Sequence, residues 1–260
     1  MSKRGQATII IFLALVLVII IALVFFVKNK VYFGGTDIQN LRRELEPLIR
    51  HVEKCLYDST TKTAYLIGEQ GGYINPQETT YKLYKDQKIS YLCYNKPKVP
   101  QCSNRYLRLE DLKDQLKQGI NSELNSCIQI KAFEKSGYSL TAGNRNLKID
   151  IGEDNIITTL EYPVKIKRDD KTAEISVFSK AVPLPLGRLY FSAIDIVNSE
   201  ALLGVFEPLY YTLIKSKFSG KSYIIKKLQP YPDKLYILKI KDTPTEKEPF
   251  IFQFFIEGEE

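Results

Sequence analysis

Phe250-Ile251-Phe252-Gln253-Phe254-Phe255-Ile256 is the stretch on which the reading of this chain turns. Side chains alternate across a strand, so Phe250, Phe252, Phe254 and Ile256 share one face while Ile251 and Phe255 lie on the other. A strand apolar on both faces is covered on both, so this one is expected to be internal to the fold or to an assembly. Working back from it, 235–241 and 222–228 also read as strands. Before them comes a helical stretch with Leu189, Tyr190, Ala193, Ile194, Val197 and Ala201 on one side. A second helix is predicted over 202–218, interrupted by Pro208. Further back, strand patterns fill 137–141, 146–151, 156–162, 164–167 and 172–182. Turn residues separate them at Gly143-Asn144, at 152–155 and at Asp169-Asp170, which predicts an antiparallel meander closed by Pro183-Leu-Pro-Leu-Gly187.

The amino-terminal half carries helical periodicity instead. Ile38, Leu41, Leu45, Leu48, Val52 and Cys55 fall at a spacing of three and four residues, one stripe of a helix that Thr36 or Asp37 can cap. Pro47 within the stripe implies a kink or a late start, and Gly71-Gly72 ends the element. A second stripe runs through Leu109, Leu112, Leu116, Ile120, Leu124 and Cys127. Both outer cysteines therefore sit where two helices would meet. Between the stripes, 81–84 and 89–94 have the alternation and tyrosine content of strands. The fold class expected is α+β: a helical subdomain with a short strand pair over 36–130, and an α+β subdomain with antiparallel strands and a helical pair over 131–260. A coiled-coil seam between subunits is the alternative use of the first stripe, so an oligomer is compatible with the pattern.

Composition is that of a globular chain, 44% hydrophobic and 26% charged, but the apolar residues are uneven. Residues 7–27 hold no charge and only Thr8 is polar. At about 1.5 Å per helical residue the run reaches roughly 30 Å, the thickness of a bilayer's hydrocarbon core. It exceeds the apolar region of a cleavable signal and ends in Phe25-Phe26-Val27-Lys28 with no small-residue exit, so a retained anchor contacting the lipid bilayer is predicted. That leaves 1–6 as a short cytoplasmic segment and 28–35 as a linker broken by Gly34-Gly35. Lys3 and Arg4 on one side are matched by Lys28, Lys30, Arg42 and Arg43 on the other, so basic residues do not settle orientation. The four cysteines, Cys55, Cys93, Cys102 and Cys127, bear on it. Cys93 and Cys102 bracket a proline-containing loop whose ends can meet, and of the three connectivities 93–102 with 55–127 is favoured. Bridges persist in oxidising compartments, which places the large domain outside the cytoplasm. The Cys-x-x-Cys spacing of a zinc site is missing.

The start of the chain carries a resemblance. Lys3-Arg4-Gly5-Gln6 followed by an apolar run resembles the class III signal of archaeal pilin-like proteins, which implies processing between Gly5 and Gln6. It is also similar to the opening of single-span membrane-anchored proteins of DPANN archaea. In those the anchor precedes a helix with a Val-x-x-Cys-Leu pattern, here Val52-Glu53-Lys54-Cys55-Leu56, and a Gln-Gly-Gly-Tyr turn, here Gln70-Gly71-Gly72-Tyr73. The resemblance covers roughly the first 75 residues and implies no activity. Class III pilins carry a Ser and then a Glu soon after the cut, where this chain has Thr8 and Ile10.

Little in the rest points to catalysis. The single histidine, His51, stands one helical turn from Cys55, the spacing of a Cys–His pair, but Cys55 occupies the apolar stripe. A serine triad would need the same His51, with no Gly-x-Ser-x-Gly turn to present a serine. Glu44/Glu46 and Glu110/Asp111 read as solvated helix faces rather than a glycosidase pair. Asp150, Gly152, Glu153, Asp154 and Asn155 lack the distal Glu of a calcium loop and read as a hairpin turn. No catalytic residue, cofactor or metal ligand is therefore assigned. The net charge of +7 comes from interspersed signs without a nucleic-acid motif, so no nucleic-acid partner is expected. The densest basic cluster, Lys215, Lys217, Lys221, Lys226 and Lys227, reads as a solvated face or a contact for anionic lipid. With 17 Tyr and no Trp, Tyr81, Tyr84, Tyr91 and Tyr94 are the candidate binding surface. The expectation is a non-catalytic, membrane-anchored extracytoplasmic domain that binds proteins of the cell surface or envelope. A pilin-like filament subunit processed before Gln6 is the alternative, and a membrane-bound hydrolase a second.

Overall fold

Pro47 has no N–H to give, so it belongs in the first turn of a helix, where none is needed. In the computed structural model, which describes residues 43, 45–97, 102–134, 139–241 and 249–258, it occupies that place. Helix α1 (Glu46–Glu69) buries Leu48, Val52, Cys55, Leu56, Ala64 and Ile67 along one side. Ile38, Leu41, the linker and the 7–27 segment lie outside the described residues. Gly71 and Gly72 end the helix at φ of +73° and +102°, and the Gly72 N–H donates to the Ile67 carbonyl at 2.8 Å. Helix α2 (Leu109–Cys127) turns Leu112, Leu116, Ile120 and Leu124 inward against α1.

Two sheets receive these helices. The larger contains β1 (Tyr81–Tyr84), β2 (Gln87–Tyr94), β10 (Ile251–Ile256), β9 (Lys234–Ile240) and β8 (Tyr223–Leu228) in that order, with β3 (Ser103–Asn104) paired to the far end of β2. Strand β10 is thus internal, antiparallel to β9 and parallel to β2. The parallel pair departs from the wholly antiparallel sheet expected: the two strands arrive from opposite halves of the sequence, so no hairpin dictates their sense. Phe250, Phe252, Phe254 and Ile256 join the main core; Phe255 joins a second, smaller cluster with Ile89 and Leu235.

The smaller sheet is built on one long strand. β6 (Ile156–Arg168) pairs along its length with β7 (Lys171–Val182), while β5 (Asn146–Ile151) and β4 (Ser139–Ala142) share its other edge end to end. A meander would have paired β4 with β5. The sequence expectation of two strands parted at Pro163 also fails, because a register shift between Glu161 and Val164 absorbs the proline and the strand continues. The Pro163 carbonyl accepts from the N–H of Gly143, at the corner between β4 and β5.

Helix α3 (Leu186–Leu203) lies on the larger sheet, and helix α4 (Pro208–Ser219) follows after Gly204, whose φ of +70° stops α3. Pro208 therefore starts a helix instead of interrupting one. Among the described residues four α-helices pack on antiparallel-rich sheets, an α+β architecture. One core cluster runs from Leu45 to Ile256, through α1, α2, α3 and both sheets, so position 130/131 divides the sequence but not the core.

The halves press closely together at Gly68, where a Cβ would stand 2.2 Å from the Ile251 carbonyl oxygen and 3.1 Å from the Phe250 ring. Backbone cannot yield as a side-chain tip can. Gly68→Ala is expected to lower unfolding free energy by about 3 kcal/mol, read by urea denaturation; a loss under about 0.5 kcal/mol, the size of an ordinary surface change, would show that α1 does not press on β10.

Candidate interaction surface

The β1–β2 hairpin turns through Lys85 and Asp86, both at positive φ (50° and 63°), and its register decides where the tyrosines go. Tyr84 pairs with Gln87 and Lys82 with Ile89, so Lys82, Tyr84, Ile89 and Tyr91 share a face. Tyr81, opposite Ser90, lies on the other. Tyr84 and Tyr91 pack on Phe255, edge-on at 6.2 Å and tilted at 5.5 Å between centroids, and help to close the smaller core cluster. Tyr81 and Tyr94 carry lysines over their rings, Lys88 at 5.0 Å and Lys96 at 5.4 Å, and Tyr84 also carries Lys85 at 5.6 Å. The structure brings Tyr91 and Tyr94 together in one cleft and leaves Tyr81 apart.

That cleft, of about 430 Å³, is open and polar, lined also by Gln77, Thr80, Asn95, Arg105 and Glu257. Its floor is fixed by the continuation of β10. The Glu257 N–H donates to the Cys93 carbonyl at 3.0 Å, the Asn95 N–H to the Glu257 carboxylate at 2.5 Å, and the Asn95 side chain to the Gly258 carbonyl at 2.7 Å. Beneath lies Asp233, only 4% exposed. Its carboxylate accepts from Lys82 at 2.5 Å, from the Tyr91 hydroxyl at 2.8 Å and from the Gly258 N–H at 3.1 Å. Burial pushes the Asp233 carboxyl up, but those three donors outweigh it and hold it below the ordinary carboxylate range. Burial and the Asp233 carboxylate together raise Tyr91 well above a free phenol, so it remains a proton donor. Arg105 holds the Tyr73 hydroxyl through its carbonyl at 2.9 Å and lays its guanidinium 5.8 Å from the Tyr73 ring centroid. The cleft thus offers two aromatic rings, two side-chain amides, one cation and one carboxylate, a set suited to hydrogen bonding and stacking with a polar segment.

The cysteines form two bridges, Cys55–Cys127 and Cys93–Cys102. The first joins α1 to α2; the second closes the loop on one side of the cleft. His51 sits with Nε2 3.1 Å from the Cys127 carbonyl oxygen and 3.6 Å from Cys55 Sγ, its ring 5.1 Å from that of Phe133. His51, Cys55 and Cys127 hold ligand-type atoms within 4.8 Å of one another, but both sulfurs are spent in a covalent bond, leaving neither thiolate nor metal ligand. The carboxylate candidates are also engaged. Glu46 lies 3.6 Å from Arg50, Glu110 pairs with Lys113 at 3.0 Å and Asp111 with Arg108 at 2.9 Å. Glu153 and Asp154 are the central residues of the hairpin turn between β5 and β6 and both bind Arg188, at 2.6 and 2.8 Å. Gly5, Gln6, Glu44 and the 7–27 segment lie outside the described residues, among which no helix is long and apolar enough to cross a membrane.

Sequence reasoning missed two buried carboxylates. Asp233 is one. Glu200, on the inner side of α3, is the other: it takes Lys234 at 2.6 Å, Lys227 at 3.4 Å and the hydroxyl of fully buried Tyr236. Burial and then Glu200 raise Tyr236 far above a free phenol. The only sequence signal was a Glu one turn beyond Val197 on an apolar stripe; its partners lie on distant strands. No protein-family model, curated protein sequence or solved structure matches the chain.

Because Asp233 is depressed in the fold, its stabilisation is complete above the unfolded carboxylate pKa of about 3.9 and is lost as pH falls through the lower folded value. Asp233→Asn should cost about 2 kcal/mol at neutral pH, the range for hydrogen bonds to a charged group. It should also flatten the stability profile below about pH 4, measured by urea unfolding across the acid range. A profile parallel to that of the natural chain would contradict the role given to Asp233.

Proposed function

We propose that the chain is a single-pass membrane protein whose described domain stands outside the cytoplasm and binds another protein of the cell surface or envelope at the Tyr91/Tyr94 cleft. The observation that carries this reading is that every cysteine is paired, with none left free. Thiols of mesophile cytosolic proteins are kept largely reduced, whereas structural disulfides form and persist in oxidising compartments. The uncharged 7–27 run supplies the anchor, and tethering confines the cleft to a thin layer where its effective concentration toward neighbours on the same membrane is high. Binding is favoured over hydrolysis because the one histidine is paired with a disulfide and not with a nucleophile.

The resemblance to single-span DPANN proteins belongs to the same proposal. Lys3-Arg4-Gly5-Gln6 favours a second reading, a filament subunit cut before Gln6. Intact mass separates the two, since processing removes residues 1–5.

The compartment is tested on intact cells carrying the full chain. Alkylation before reduction should leave all cysteines unlabelled, the unreduced digest should contain linked peptides Cys55–Cys127 and Cys93–Cys102, and protease added outside should shave the domain. Four alkylated thiols, or a domain that survives outside protease until the cells are lysed, would overturn the proposal.

A further inference from the structure

Helix α4 is built inside out. Its polar side faces the protein: the Tyr211 hydroxyl donates to Asp195 at 2.6 Å, Lys215 lies 3.0 Å from the same carboxylate, and Ser216 Oγ accepts from the Tyr223 N–H at 3.2 Å. Its outer side carries Leu209, Tyr210, Leu213, Ile214 and Phe218, one helical stripe. Leu213 is 62% and Phe218 83% exposed, and no residue of the helix is buried. The turn before it adds Leu203 and Val205, also exposed. An ordinary surface helix shows the reverse polarity. A contiguous apolar stripe of this kind marks a contact surface.

The charges around the stripe identify what covers it. Lys217, Lys221 and Lys226 are exposed and form no salt bridge within 4 Å among the described residues, while the carboxylates around them are held by other donors: Asp195 by Lys215, Glu207 by the Leu209 N–H, and Glu153 and Asp154, the latter also within the field of Lys221, by Arg188. Self-association would press these cations onto their own copies. An anionic bilayer receives both components, phosphates at the lysines and acyl chains at Leu213 and Phe218. Residues 28–42 separate the apolar run from the first described residue, and at about 3.3–3.6 Å per residue a chain of that length can reach at most on the order of 50 Å.

We propose that α4 lies in the interface of the anionic membrane in which the chain is anchored, an inference that rests on the single-pass reading above. Strand β8, beside α4, is at the opposite end of the sheet from β1. Docking through α4 therefore turns the β1–β2 edge, with its cleft, away from the lipid.

The chain has no tryptophan, so Phe218→Trp introduces a single indole at a position that is mostly solvent-exposed and tolerates it. The full chain carrying this change is reconstituted in nanodiscs with brominated acyl chains, containing either phosphatidylcholine alone or phosphatidylglycerol as well. The expected result is a blue-shifted emission quenched several-fold in the anionic discs, weakly in the neutral ones, and released by adding Lys217→Glu, Lys221→Glu and Lys226→Glu. Leu213→Trp, on the same stripe, should behave alike. An unquenched indole in a chain that resists alkaline carbonate extraction overturns docking alone; a chain that carbonate extracts overturns the anchor and docking with it. A blue shift that grows with protein concentration without quenching assigns the stripe to a second copy and also overturns the proposal.

Discussion

The structure depends on one strand that has no face to give to water. Phe250, just ahead of β10, and Phe252 and Phe254 within it point into the main core; Phe255 points the other way, under Tyr84 and Tyr91. Such a strand is stable only with neighbours on both edges and cover on both sides. The chain supplies them from both of its ends: β2 on one edge, β9 on the other, α1 and α3 above. The fit is close enough that Gly68 brings the α1 backbone against the Ile251 carbonyl. Gln253, buried in the same strand, donates to the Glu69 carbonyl at 3.0 Å and to the Gln87 side chain at 2.9 Å, tying the end of α1 and the start of β2 to it.

Two carboxylates and two disulfides then fix the periphery. Asp233 gathers Lys82, Tyr91 and Gly258; Glu200 gathers Lys227, Lys234 and Tyr236. Each joins elements far apart in sequence, and each is buried with its donors in place, the condition under which a buried charge is tolerated. The bridge Cys55–Cys127 closes a loop with a sequence separation of 72 and Cys93–Cys102 one of 9. In the chain-entropy account the longer loop constrains the unfolded state by about 4 kcal/mol and the shorter by between about 2 and 3 kcal/mol.

Much of this was legible in the sequence because periodicity is local. The stripes from Ile38 to Cys55 and from Leu109 to Cys127 announced α1 and α2, Pro47 signalled a kink or a late start of which the structure takes the second, and the double apolarity of 250–256 announced an internal strand. What escaped was pairing over distance. Nothing local says that Phe255 aligns with Tyr91, or that β4 and β5 share an edge of β6. Pro163 read as a strand break because the bulge that accommodates it depends on the partner strand. Tyr81, Tyr84, Tyr91 and Tyr94 read as one surface, but the hairpin register sends Tyr81 to the other face and uses Tyr84 and Tyr91 partly as core cover. A helix was legible over 202–218, with Pro208 read as interrupting it; that its apolar side faces outward follows only from Asp195 and Tyr223 meeting its polar side.

The central claim is that β10 makes residues on both sides of position 130 one cooperative unit. Native-state hydrogen exchange on the oxidised chain, followed with increasing urea, tests it most directly. The account predicts that the amides of α1, β2, β9 and β10 exchange through a single opening with one free energy and one urea dependence. If α1 and β2 instead exchange through an opening of lower free energy while β9 and β10 stay protected, the two halves are separate units and the account is contradicted.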